Sequence, residues 1–239
     1  MLAIAVLLFS VAELNAQGDC PPETIVPDPI AFFPLNGQYG TKEMNNRARQ
    51  GNPTGVKLSQ GPDGKDAGSY EFSGTANSFI EFPNSDRGPL DVNGVSMTML
   101  CWIYPTGQTG PLFNYKTSGQ WGVHLWDGGN NKLFARFTRR DYSFTTGLYA
   151  GSIPRNTWHF VGASYDHKTG LEKLWVNAQV VSTLNIGAGI NLATQDSVRM
   201  GVKTGDGRFY KGRIAQMQVY NDALNEKQVQ EIKQRTTVA

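Results

Sequence analysis

From Ile30 onward the chain consists of short apolar or alternating runs, each ended by glycine, asparagine, aspartate or proline. This pattern is typical of antiparallel strands joined by tight turns rather than of alternating strands and helices. The clearest runs are Ile30–Leu35, Ser69–Phe72, Phe79–Phe82, Val95–Tyr104, Trp121–Trp126, Lys132–Arg139, Thr157–Tyr165, Glu172–Val176, Ser197–Met200 and Gly212–Tyr220. Because these are too many strands for one open sheet, the pattern predicts an all-β protein with two packed antiparallel sheets.

Local signals refine this prediction. In the run from Val95, alternation predicts that Met97, Met99, Cys101 and Ile103 face the shared core, opposite Ser96, Thr98, Trp102 and Tyr104. Residues 127–131 and 166–170 have the turn chemistry of hairpins. Asn225, followed by Gln228, predicts the capped start of one short C-terminal helix that buries Val229 and Ile232.

Several ordered segments resemble the laminin-G-like jelly-roll family, also called the concanavalin A-like lectin/glucanase superfamily. They are residues 32–37, 70–74, 79–83, 96–105, 156–166, 174–177, 209–214 and 219–224. The resemblance implies a two-sheet jelly-roll β-sandwich over nearly the whole mature chain and leaves the ligand open. Trp102, Trp158, Trp175 and His159 are expected to be framework residues, since tryptophans in strands supply large buried areas.

The first residues favour secretion. Leu2–Val11 is an uninterrupted apolar stretch, too short to span a bilayer but suited to the core of a signal peptide. Cleavage is expected after Ala12 or Ala16. We therefore divide the chain into a signal peptide (1–16), an N-terminal tail (17–29), a sandwich domain (30–235) and a C-terminal tail (236–239). No later segment approaches the length of a membrane span, so we expect a secreted, extracellular protein.

Charge and cysteine content limit the partners. The 239 residues contain 22 basic and 20 acidic side chains, so no strong field favours nucleic acid or an anionic membrane. A secreted chain with two cysteines is expected to form one disulfide, between Cys20 and Cys101. The alternatives are an intermolecular bond through Cys20 and a buried free thiol at Cys101.

The sequence disfavours catalysis. Relatives that hydrolyse glycans carry closely spaced carboxylates on one strand, because retaining cleavage needs an acid/base and a nucleophile about 5 Å apart. Here the acidic residues are scattered, and no pair at i, i+2 falls in a strand-like run. His124, His159 and His167 lack cysteine or carboxylate neighbours at zinc-ligand spacing. We therefore expect no enzymatic activity.

Calcium is the cofactor that the resemblance implies. Many relatives hold one ion between an aspartate or asparagine of the opening strand and an acidic residue of the last. This chain has Asn36 and Gly37 at the first position and Gln216 at the second. These residues are the candidate ligands, but fewer formal charges weaken a calcium site, so the sequence slightly favours its absence.

For a polar ligand, the region from Trp121 to Tyr142 is the most suggestive, because it mixes aromatic side chains with amides and arginines. Sugar sites combine an aromatic ring, which packs on a pyranose, with polar groups that bind hydroxyls, while arginine pairs with sulfate or carboxylate. An equally good reading is structural, with Arg136 across from Trp126 in a cation–π pair. The candidate ligand-binding residues are Trp126, Asp127, Asn130, Asn131, Arg136, Arg139, Arg140 and Tyr142.

Three functions remain in competition. The leading one is a secreted, non-catalytic module that binds glycans or extracellular proteins. The second is a structural component of an extracellular matrix, including a mineral-associated one, which assembles through sheet edges or Cys20 disulfides. The third, a glycan-cleaving enzyme, predicts a carboxylate pair on the concave face.

Overall fold

Strands follow one another along most of the chain and are joined by tight turns and by longer loops, such as residues 34–51. The computed structural model describes residues 24–238. The strands are β1 (Ala31–Phe33), β2 (Asn52–Thr54), β3 (Lys57–Ser59), β4 (Ser69–Ser73), β5 (Phe79–Phe82), β6 (Met97–Pro105), β7 (Gly110–Tyr115), β8 (His124–Gly129), β9 (Lys132–Arg136), β10 (Leu148–Ala150), β11 (His159–Tyr165), β12 (Leu171–Val176), β13 (Gln179–Asn185), β14 (Val198–Met200) and β15 (Lys211–Tyr220). Helix α1 (Glu226–Val238) follows them.

The strands form two antiparallel sheets, as the sequence predicted. The eight-stranded sheet has the order β13-β12-β11-β6-β15-β4-β3, with β1 also paired to β15. The seven-stranded sheet has the order β10-β9-β8-β7-β14-β5-β2. Pairs of consecutive strands, such as β8 and β9, occur beside pairs of strands that are far apart in sequence, such as β6–β15 and β7–β14, and this pairing is that of a jelly-roll sandwich.

The main core lies between the sheets. Met97, Met99, Cys101 and Ile103 of β6 all belong to it and are fully buried, which confirms the alternation read from the sequence. The Cys101 thiol is therefore enclosed, and burial raises its pKa to about 12. Cys20 lies outside the described residues, as do the signal peptide and its cleavage sites, so the disulfide remains a prediction.

A second, smaller core covers the outer face of the eight-stranded sheet. Leu100, Trp102, Phe160 and Trp175 pack there against Val229 and Ile232 of α1. The indole N–H of Trp102 donates to Thr236 Oγ1 at 3.0 Å, which explains why a tryptophan is accommodated under the helix. Helix α1 ends at Val238, so it extends into the segment 236–239, which the sequence predicts to be a C-terminal tail.

Helix α1 begins as predicted. The Asn225 side chain accepts from the Gln228 amide at 3.0 Å, and the Gln228 side chain accepts from the Asn225 amide at 2.9 Å. This reciprocal pair satisfies two backbone donors at the helix start. Within residues 24–238, no helix is both long and apolar enough to cross a membrane.

Candidate functional site

Alternation in the β8–β9 hairpin creates an aromatic surface on the outer face of the seven-stranded sheet. Leu125 and Ala135 point into the core between the sheets, so Trp126 and Phe134 point outward. A cavity of about 230 Å³ opens on this face. We call it the aromatic cavity. Its lining residues are Trp121, His124, Trp126, Phe134, Arg136 and Arg208.

The rings of the aromatic cavity pack against one another. The Trp121 and Trp126 centroids are 5.2 Å apart with planes tilted by 49°. Trp126 is only 1% exposed, and its indole N–H donates to Asn114 Oδ1 at 3.0 Å. Trp121 is more accessible because it precedes β8 rather than lying within it. Trp126 is thus held rigidly, while Trp121 offers ring surface to a ligand.

His124 lies between these rings as a neutral side chain. Its Nδ1 donates to the Gly122 carbonyl at 2.7 Å, since a carbonyl can only accept. Burial, together with the smaller effect of the nearby cations Arg136, Lys203 and Arg208, lowers the pKa of His124 to about 4 against the opposing effect of the hydrogen bond to that carbonyl. The imidazole therefore adds no charge to the aromatic cavity at neutral pH.

Arginines approach the rings, but not in the pairing that we predicted. Strand register places Phe134 opposite Trp126 and places Arg136 opposite His124, so the predicted cation–π pair between Trp126 and Arg136 is wrong. The guanidinium over Trp126 is that of Arg208, 4.4 Å from the ring centroid.

Only some of the candidate ligand-binding residues predicted from the sequence lie at the aromatic cavity. Of the eight candidate residues, Trp126 and Arg136 line it. The structure adds Trp121, His124, Phe134 and Arg208. Trp121, His124 and Phe134 lie within the region that the sequence singled out, and alternation from Trp126 would have selected His124 and Phe134. Arg208 comes from the loop between β14 and β15, which is distant in sequence from this hairpin.

Asp127 does not reach the outer face. Its side chain is 0% exposed and forms an ion pair with Arg155. The Gly129 amide donates to its Oδ1 at 3.2 Å. Burial raises the pKa of Asp127 more than Arg155 and the Gly129 amide lower it. Asp127 therefore stabilises the end of β8 rather than offering a carboxylate to a ligand.

Asn130 and Asn131 are exposed but form the hairpin turn between β8 and β9. Their φ angles are 50° and 56°, the left-handed conformation that asparagine tolerates better than most residues. Neither lines the aromatic cavity. Their presence is explained by the turn.

Arg139, Arg140 and Tyr142 lie in the segment after β9 and hold neighbouring loops. Arg140 donates to both carboxylate oxygens of Asp91, at 2.9 and 2.8 Å. Tyr142 donates to Asp196 Oδ2 at 2.7 Å. Arg139 donates to the backbone carbonyl of residue 144 at 3.0 Å. These three predicted ligand residues thus have protein partners and lie outside the aromatic cavity.

Comparison with known proteins identifies the family. A laminin G family model, described as the concanavalin A-like lectin/glucanases superfamily, matches residues 73–230, which is more than half of the chain. The chain belongs to this superfamily. No curated protein sequence matches the chain.

Solved structures show the same superfamily fold. Domain 4 of AbnA, a GH43 extracellular arabinanase from Geobacillus stearothermophilus solved in complex with arabinotriose, matches with a TM-score of 0.65 and 19% identity. The match covers 85% of this chain and 97% of that domain.

Two toxin binding domains are also similar. The binding domain of Paraclostridial Mosquitocidal Protein 1 has a TM-score of 0.65 and 17% identity, and the match covers 84% of this chain and 51% of that one. The botulinum neurotoxin serotype G binding domain has a TM-score of 0.68 and 11% identity, with 87% and 51% covered. The chain thus spans about half of each toxin domain.

The calcium position implied by the superfamily forms a separate cavity of about 220 Å³. It brings together all three predicted ligands, Asn36, Gly37 and Gln216. Its remaining lining residues are Gln38, Asp63, Lys65, Asp66, Ala67 and Gly68. The two aspartates were not predicted, since they come from the loop between β3 and β4.

The donor set of this cavity suits calcium only weakly. Gln216 Oε1 is buried and accepts no hydrogen bond from the described residues. Asn36 Oδ1, in contrast, already accepts from two backbone amides at 3.1 and 2.9 Å, and Lys65 lies 3.3 Å from Asp63. Within residues 24–238, no three His, Cys, Asp or Glu side chains form a metal-binding group. Neutral oxygens and Asp66, which forms no ion pair with the described residues, fit calcium with low affinity.

Proposed function

We propose that the chain is a secreted, non-catalytic carbohydrate-binding module that holds its ligand in the aromatic cavity. The observation that carries this proposal is the convergence of Trp121, Trp126 and Phe134 with Arg136 and Arg208 on one outer face. The apolar face of a sugar ring packs on an exposed indole, while guanidinium N–H groups donate to the hydroxyl oxygens. The guanidinium carbon of Arg208 lies 6.0 Å from the Trp121 ring centroid, so the two kinds of group are close together.

The comparisons support this function at the level of the fold. Domain 4 of the extracellular arabinanase was solved with arabinotriose, and the chain covers nearly all of that domain. The toxin domains carry binding functions in their names. An extracellular location agrees with these neighbours and with the apolar leader expected at residues 1–16.

We also propose that the cavity of Asn36, Gly37 and Gln216 binds Ca²⁺ weakly. The buried Gln216 Oε1, which has no hydrogen-bond donor among the described residues, supports this assignment. Asp63 and Asp66 supply carboxylates near it. The ion would order the loops at the bulge of β15 and would take no part in binding at the opposite sheet.

A glycan array tests the carbohydrate-binding function. Wild-type protein is expected to bind one group of oligosaccharides, and Trp121→Ala is expected to weaken that binding about tenfold because it removes the accessible ring. Trp158→Ala is the matched control, since Trp158 is a partly buried tryptophan on the outer face of the other sheet. Absence of glycan binding by the folded wild-type protein, or equal losses in both variants, would refute the proposal.

A further inference from the structure

Arg136 differs from the other arginines on the outer face of the seven-stranded sheet. Arg208 donates to both oxygens of Asp206, at 2.9 and 2.7 Å, and Arg199 is ion-paired to Glu81. Arg136 has no carboxylate within ion-pair distance among the described residues, and its Nε is buried without a hydrogen-bond partner there. Within the described part of the chain, the aromatic cavity therefore contains a cation without a counterion at ion-pair distance.

The position of Arg136 is fixed by apolar contacts. Its guanidinium carbon lies 4.6 Å from the Phe144 ring centroid and 5.3 Å from that of Phe134. These rings orient the guanidinium, but they offer no acceptor for the N–H groups that point outward in the guanidinium plane. A planar fork held in this way is suited to a bidentate acceptor.

The carboxylate that acts electrostatically on Arg136 belongs to Glu172 of β12. Glu172 is fully buried, and neither of its side-chain oxygens has a hydrogen-bond partner among the described residues. Burial raises the pKa of Glu172 to about 8. The Leu148 backbone and the positive charge of Arg136 favour the ionised carboxylate, but their effects are smaller than that of burial. At neutral pH Glu172 is thus mostly protonated and leaves the charge of Arg136 uncompensated.

A second cation adds to the field. Lys203 Nζ lies 4.6 Å from the Trp121 ring centroid and donates to the Gly119 carbonyl at 2.8 Å. None of the described residues that line the aromatic cavity is an aspartate or glutamate, and the nearby Asp206 is already paired with Arg208. The hydroxyl oxygens of a neutral sugar can accept hydrogen bonds from Arg136 but bring no charge to balance the guanidinium, whereas an anionic group does both.

We infer that the aromatic cavity binds an acidic saccharide, whose carboxylate or sulfate group is held by the Arg136 guanidinium while its sugar ring packs against Trp121. This inference rests on the proposed carbohydrate-binding function. It names the ligand class: uronate-containing or sulfated glycans rather than neutral ones.

Isothermal titration calorimetry with charge-matched ligand pairs tests the inference. One pair is a galacturonate trisaccharide and its methyl ester, and the other is a sulfated galactose disaccharide and its desulfated parent. The charged member of at least one pair is expected to bind about tenfold more tightly than its neutral counterpart, because a charge-assisted hydrogen bond is stronger than a neutral one. The pair that shows the preference identifies the anion as carboxylate or sulfate.

Variants then assign the preference to one side chain. Arg136→Met keeps the apolar contacts and is expected to bring the charged ligand to the affinity of the neutral one, while Arg136→Lys keeps part of the preference. Arg213→Met is the matched control, since Arg213 also stacks on an aromatic ring, 4.9 Å from the Tyr104 centroid, but on the eight-stranded sheet. Retained binding of the neutral ligand shows that each variant is folded.

Two outcomes separate this inference from the proposed function. Equal affinity for charged and neutral ligands, with both dependent on Trp121, would overturn the inference and leave carbohydrate binding intact. A charge preference that survives in Arg136→Met would also overturn it. If no saccharide of either pair or of the array binds, the proposed function fails, and the inference fails with it.

Discussion

The ion pair between Asp127 and Arg155 is expected to respond strongly to the loss of one partner. Asp127 is 0% exposed, and the Arg155 side chain is 24% exposed. In Arg155→Met, the aspartate would be left with one backbone donor, Gly129, in a buried position. Removing one partner of a buried pair typically costs 3–5 kcal/mol, and the partial exposure of Arg155 places this case near about 3 kcal/mol.

Urea unfolding followed by tryptophan fluorescence measures this loss. With an m value of about 3 kcal/mol per molar urea, the midpoint is expected to fall by about 1 M in Arg155→Met. The loss should have a defined pH dependence. Without Arg155 the pKa of Asp127 rises further above its unfolded value of 3.8, so stability is lost as pH rises above that value.

The double variant Asp127→Asn, Arg155→Met is the decisive control. It removes the unpaired charge together with its partner, so it is expected to recover more than half of the stability lost in Arg155→Met. A loss below about 1 kcal/mol in the single variant, or a double variant no more stable than the single one, would show that Asp127 is not a buried unpaired charge in the absence of Arg155.

The remaining predictions concern pH, capping and calcium. Because the pKa of Glu172 is raised from 4.5 to about 8, wild-type stability should fall by up to about 4 kcal/mol between pH 5 and pH 8, and Glu172→Gln should abolish this slope in urea titrations. A wild-type slope that persists in the variant would contradict the assignment. Asn225→Ala should lower the free energy of unfolding by about 1 kcal/mol, because it removes a capping hydrogen bond of α1. Thermal unfolding should show a Tm lower by about 2–4 °C, and an unchanged Tm would argue against the cap. With a Kd of about 1 mM, 10 mM CaCl₂ should stabilise the wild type by about 1.4 kcal/mol relative to chelator, and Gln216→Ala should lose most of this gain; equal gains in both proteins would place the ion elsewhere.

Much of the fold follows from local sequence signals. The shared face of Met97, Met99, Cys101 and Ile103 follows from the two-residue period of a strand, although the other face of β6 is also buried, against the helix. The Asn225 cap is equally local, since both of its partners lie within one helical turn. Such features depend on residues that are neighbours in sequence, so the sequence alone predicts them.

The strands that were not predicted lack those signals. β7 is buried along its whole length and begins with Gly110 and Pro111, so it shows neither alternation nor strand propensity. β13 alternates but carries few large apolar residues, as suits its place at the edge of the eight-stranded sheet. β2 includes Pro53, which an edge strand tolerates because an outward position needs no N–H donor.

The site was harder to predict than the fold because it depends on register and on distant segments. The sequence indicated an aromatic hairpin, but a shift of pairing decides whether Arg136 or Phe134 lies opposite Trp126. Arg208 reaches Trp126 from a loop far along the chain, and no local pattern shows this contact. The burial of Asp127 likewise depends on Arg155, which lies beyond β10.

The position of helix α1 determines which side of the molecule is covered when it is immobilised or fused to another protein. The helix covers the outer face of the eight-stranded sheet, and residue 25 meets it through a bond from the Gln228 side chain to its carbonyl at 3.0 Å. Both ends of the described chain therefore lie on the side away from the aromatic cavity. A biosensor surface, a fluorescent fusion or a second copy linked in tandem through either end would leave the aromatic cavity pointing toward the solution.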